Sequence, residues 1–161
     1  MSHASDRSDG GAVQATTPLE EAQRRRRGVQ AALIDLEQAI AAPSTGRERA
    51  WIERVSGQLD VLATAFGYHV EATEERGGLF DEVVSQAPRL TRQVDYLRAD
   101  HLRLAGAIEA AQRIARDPAA EGHLLDLADA GADLLARLTR HRHLGSTMVF
   151  EAYMVDIDAA D

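Results

Sequence analysis

Cysteine is absent from the 161 residues, which removes disulfides, thiolate nucleophiles, zinc ribbons and iron–sulfur ligation together. Any metal held by this chain must therefore sit on histidine and carboxylate. Aromatic residues make up only 4%, while Ala, Leu, Arg, Glu and Asp are plentiful, a bias that favours helices over a β-sandwich. No uninterrupted apolar run approaches the roughly 20 residues needed to span a bilayer. The start MSHASDRSDGG has no hydrophobic core of a signal peptide, so the expectation is a cytoplasmic protein without a membrane partner. Basic residues are outnumbered, 18 Lys and Arg against 26 Asp and Glu for a net charge of −8. That balance lacks the basic footprint of a nucleic-acid binder. What is present, 45% apolar and 27% charged residues, suits one globular domain with a genuine core, and the class expected is all-α.

Residues 1–16 are small and polar, the composition of a disordered tail, and the folded domain is expected over 17–161. Thr17 as N-cap, Pro18 at the first helical position and Glu20 three residues after the cap form a helix start. The first helix is expected to reach Ala42, with Val29, Leu33, Leu36 and Ile40 on one face. PSTGRE (43–48) breaks it, and Thr45 with Glu48 reads as a second capping box. The second helix carries Trp51, Val55, Leu59, Leu62 and Phe66. Gly77 and Gly78 then mark a bend, LFDEVVSQ reads as a short apolar connector, and Pro88 opens the third helix. The third carries Leu90, Val94, Leu97, Leu104 and Ile108, and RDPAAEG (116–122) turns the chain with Asp117 as cap. The fourth carries Leu124, Leu127, Gly131, Leu134, Leu138 and Met148. Four long amphipathic helices with short links predict an antiparallel, up-down-up-down four-helix bundle.

Histidine interrupts three of these stripes. His69, His101 and His141 each fall where the second, third and fourth helices demand an apolar residue. His3 lies in the tail, and His123 and His143 lie off the stripes. At about 1.5 Å of rise per residue, the three stand at similar heights above the turns joining their helices. One buried histidine is most simply a satisfied core residue. Three in one layer cost desolvation unless they share partners, and bundle cores are where helical proteins build metal sites. Glu74 is about 140° round the helix from His69 and reaches such a site only from the flank. Glu71 points further away. Asp100 is placed to reach a neighbouring helix, while Glu151 and Asp156 reach the site only if the chain folds back. For each of these carboxylates a solvated face is the simpler reading.

The segments HVEATEERGGLFDEV, LRADHLRLAGAI and LTRHRHLGSTMVFEAYMVDID resemble the hemerythrin-like, or HHE cation-binding, family over roughly residues 18–157. The resemblance implies an antiparallel four-helix bundle around non-haem iron, with His69, His101 and His141 at ligand positions. It also shows departures. Thr73 stands where the second helix of the family has Glu, with Glu74 one step late. Ala105 stands where the third has a second His, Ser146 where the fourth has an acid, and RRRRG (24–28) where the first has His. Three outcomes follow: one metal, iron or zinc, on the three histidines with water or Glu74; two irons through shifted carboxylates; or a metal-free interaction or regulatory module. With metal, the implied role is binding a small ligand such as oxygen or nitric oxide for sensing or storage. No nucleophile with its base, phosphate loop or Glu-x-x-His pair suggests an enzyme. Arg24 to Arg27 read as i,i+4 partners of Glu20 and Glu21, the alternative being one arginine turned inward to hold Glu74 or an anion. The apolar residues of 148–157 either cap the bundle end, the preferred reading, or offer a surface to a protein partner.

Overall fold

The computed structural model describes residues 15–154, and the expectations that fall on 1–14, on Asp156 and on Ile157 lie outside them. The chain is all-α, and among the described residues there is no strand. Helix α1 spans Pro18–Ala41, α2 Glu48–Glu74, α3 Leu79–Gln86, α4 Thr91–Arg116 and α5 Leu124–Met154, with 3₁₀ turns at Pro88–Leu90 and Ala120–Gly122. The capping box at the first start is formed: Thr17 N–H donates to Glu20 Oε2 at 2.9 Å and Glu20 N–H to Thr17 Oγ1 at 3.2 Å. Two of the orphan donors of that end are thereby satisfied.

The second box is not formed. Gly46 takes a φ of 72°, a left-handed turn that glycine tolerates, and its N–H donates to Glu48 Oε1 at 2.8 Å. Arg47 becomes the N-cap of α2 and makes no side-chain cap bond. The expected connector over 79–86 is instead a helix, because Leu79, Phe80 and Val83 bury one face of two helical turns. Asp117 ends α4 and accepts from Ala119 N–H at 2.8 Å, so the fourth long helix begins only at Leu124.

Helix α1 packs on α2, α2 on α4, α4 on α5 and α5 back on α1, while α3 lies against all four. The apolar interior falls into two clusters. The larger is built on Leu36, Val55, Leu59, Leu62, Leu127 and Leu134, and the smaller gathers Phe80, Val83, Val94, Leu97, Met148 and Ala152 under α3. His101 lies between Leu97 of the smaller cluster and Leu104 of the larger, and His141 between Met148 and Leu138. A polar layer therefore divides the two. No helix among the described residues is long and apolar enough to cross a membrane. Of the apolar residues expected to cap the end of α5, Met148 is buried and Tyr153 half-buried, whereas Phe150 and Met154 are exposed.

Tight backbone geometry fixes the corner beside that layer. Gly77 has a φ of 77°, and its N–H donates to Asp81 Oδ2 at 2.9 Å. A Cβ at Gly78 would stand 2.9 Å from the carbonyl oxygens of Ala72 and Glu75. Only glycine allows α3 to start this close to the end of α2, which brings Phe80 over the histidines.

Candidate metal centre

His69 from α2, His101 from α4 and His141 from α5 meet in one cluster, each offering a nitrogen within 4.8 Å of the other two. Their ring centroids lie 4.8 Å apart for His101 and His141, 5.2 Å for His69 and His101, and 5.8 Å for His69 and His141. Phe66, one turn before His69, touches all three rings. Phe80 stacks on His101 at 5.6 Å and 12°, so α3 places an apolar plate over the imidazole and restrains its rotation. His101 and His141 are 2% and 6% exposed, levels at which an unpartnered imidazole nitrogen is costly.

The hydrogen bonds give each ring a direction. His101 Nδ1 lies 2.6 Å from Glu74 Oε1, and His141 Nδ1 lies 2.9 Å from Asp100 Oδ2. Facing a carboxylate oxygen, each Nδ1 carries the proton and donates it. A neutral imidazole then has only a lone pair left at Nε2. The two Nε2 atoms face each other at 3.1 Å, lone pair toward lone pair, a contact that needs an electrophile between them. A proton could serve, but burial pushes the imidazoles away from the charged state: His101 is lowered to about 3, first by burial and then by the charge of His141. His69 is lowered to about 3 by burial and by the charges of His101, His141 and Arg26. His141 is lowered by burial although Asp100 pulls the other way. His69 Nδ1 is buried with no hydrogen-bond partner, a third unused nitrogen at the same cluster.

These donors fit a divalent first-row metal. A separation of 3.1 Å is compatible with two nitrogens sharing one ion at bonds of about 2.0–2.1 Å. Carboxylates on the far ring nitrogens are the usual orienting partners of metal-binding histidine, fixing tautomer and ring direction. Glu74, expected to reach the site from the flank, does so through His101. Asp100, which the simpler reading left to solvent, holds His141 from the neighbouring helix. Thr73, in contrast, is buried with its hydroxyl donating to the carbonyls of His69 and Val70 at 2.9 and 3.0 Å, so it is satisfied within α2.

Arg24 and Arg25 both pair with Glu21 on the surface of α1. Arg26 does not follow them. It turns inward, donates from Nη1 to Ser146 Oγ at 2.7 Å, and lines a cavity of about 40 Å³ together with His69, His141, Thr73, Phe66 and Phe80. Position 26 falls on the apolar stripe of α1, four residues after Ala22 and three before Val29. That register singles out which arginine of the run turns inward, the alternative expected above, and its partner is Ser146 rather than Glu74.

No family model, curated protein or solved structure matches the chain.

Proposed function

We propose that this chain is an antiparallel four-helix bundle of hemerythrin-like kind that binds one metal ion, iron or zinc, on His69, His101 and His141, and presents it to a small ligand such as oxygen or nitric oxide. The observation that carries this reading is the opposed pair of Nε2 atoms, each on a ring whose other nitrogen is held by a carboxylate. Three neutral imidazoles are sufficient donors for zinc or Fe(II) and leave coordination positions open. The bound ion would supply Lewis acidity and, if it is iron, reversible ligand binding.

The remaining work falls to the chain. Glu74 and Asp100 orient the rings and place two negative charges behind them, favouring a cation in front. Phe66 and Phe80 keep bulk water from the imidazoles. The cavity of about 40 Å³ exceeds the roughly 10–15 Å³ that one water needs, so it has room for a diatomic molecule. Arg26 beside His69 places a fixed positive charge in the half of the site where the family resemblance would seat further ligands. That charge favours one ion over two.

Arg26 also supports a second reading. A half-buried guanidinium can stand in for a metal charge, and Phe150 and Met154 are exposed at the end of α5, so a metal-free interaction module is the competing assignment. Titration separates the two. Tag-free protein, stripped of metal and titrated anaerobically with Fe(II) and separately with Zn(II), is expected to bind about one ion per chain. Absence of stoichiometric binding of either ion sinks the metal reading.

A substitution behind the ligands gives a finer check. Glu74→Gln keeps an oxygen that accepts from His101 Nδ1 but removes its charge, and is expected to weaken metal affinity about 10- to 100-fold. Competition against a chromophoric chelator measures it. Unchanged affinity would show that Glu74 does not support the ligand.

A further inference from the structure

Arg26 and Arg142 have an arrangement that the metal does not explain. In this acidic chain, Arg24, Arg25, Arg49, Arg98, Arg116 and Arg137 each lie against a carboxylate. Several exposed arginines lack such a partner too, but of the half-buried arginines among the described residues Arg25 and Arg98 have one and Arg26 and Arg142 do not. Arg26 donates to the neutral hydroxyl of Ser146 and Arg142 to the neutral amide oxygen of Gln30. Each guanidinium carries five N–H donors, so most remain unused in both.

Two positive charges stand close enough that Arg142, after burial itself, disfavours the charged form of Arg26. Such a pair is destabilising unless something negative joins it. Arg26 and Arg142 both line the inner cavity with His69 and His141. Both also line a surface pocket of about 310 Å³ whose other walls are Gln23, Arg27 and Gln30. They stand where outside meets inside, between α1 and α5, with Arg27 as a third cation on the outer side. A cleft lined by one sign of charge concentrates counter-ions even when the whole molecule carries the same sign as those ions.

We propose that the α1/α5 cleft is a binding site for a small monovalent oxyanion, gripped by Arg26 and Arg142 with its far end in the cavity beside His69. Planar anions with two oxygens on one edge, such as nitrite or formate, match the forked donors of arginine. The inner cavity limits size. At about 40 Å³, and lined mostly by apolar side chains, it takes the end of a molecule of three or four heavy atoms and cannot solvate a tetrahedral dianion such as sulfate. The site goes beyond the metal reading and does not depend on it, because the arginines, Ser146 and Gln30 assemble the cleft without an ion.

The test uses the full chain in metal-free form, which keeps failure of the metal reading separate from failure of this one. Sodium nitrite and sodium formate are titrated at constant ionic strength while arginine side-chain and α1 and α5 backbone amide resonances are followed. The expected result is saturable change confined to residues around Arg26, Arg142 and Ser146. Arg26→Gln is expected to weaken the binding by about tenfold or more, with Arg26→Lys intermediate and the exposed-site control Arg54→Gln unchanged. If circular dichroism shows that Arg26→Gln fails to fold, Arg142→Gln on the opposite side of the cleft carries the same test. Non-saturating shifts, equal binding of bulky perchlorate, or affinity indifferent to both arginines would overturn the proposal.

Discussion

His101→Ala is expected to abolish metal binding, lowering affinity by well over the roughly 100-fold that loss of an outer partner can cause. His101 joins several parts of the centre: Glu74 at Nδ1, His141 at Nε2, and the rings of Phe66 and Phe80. Removing it takes away one donor, frees the Glu74 carboxylate and leaves only His69 and His141 to share the ion. The helix itself has no need of the ring. Alanine is the best helix former, and Leu97 and Leu104 on either side keep α4 anchored. Helical circular dichroism at neutral pH is therefore expected to be unchanged. Equilibrium dialysis with Fe(II) and Zn(II) reads the loss, and retention of one ion per chain would mean that the ligands lie elsewhere.

Acid is expected to unfold the metal-free protein well above the pH at which the histidines themselves titrate in the fold. His69 and His101 are lowered from 6.5 to about 3, so between those values the unfolded chain binds protons that the folded chain refuses. Stability from this source is fully present above about pH 6.5 and declines as pH falls toward 3. Each histidine contributes a slope of at most about 1.4 kcal/mol per pH unit, and two in parallel give about 3. A domain of ordinary stability, about 5–15 kcal/mol, would lose much of its margin within two or three units. The expected observation is a cooperative acid transition near pH 4–5 with uptake of at least two protons, shifted to lower pH when Zn(II) is bound. Urea melts at pH 7, 6 and 5 measure the slope. A flat profile would mean that the imidazoles accept protons in place, with the Nε2 pair sharing one.

The stripes that built the helices were legible in sequence because burial at spacings of three and four leaves a plain pattern. Leu33, Leu36, Val55, Leu59, Leu97 and Leu104 are all buried. His101 and His141 were legible by the same reasoning, since each occupies a stripe position that only an interior side chain can fill. The partners of the histidines were harder to read. Asp100 sits one residue from His101 and so points about 100° away from it, and only the packing of α4 on α5 turns that direction toward His141. An inward arginine was the alternative the run left open, and the structure shows it as Arg26, held by Ser146 rather than by Glu74. The helix at 79–86 was missed because two turns carry too few residues to distinguish a periodic face from a plain apolar run.

The layer of histidines between the two apolar clusters also has a mechanical meaning. The buried apolar residues on its two sides form separate clusters, so the smaller one under α3 and the larger one beyond can loosen as separate cooperative units. Whatever occupies the gap between His101 and His141 is bonded to helices that belong to both. A ligand there would act as a rivet, and its arrival would be felt as added rigidity at both ends of the molecule at once.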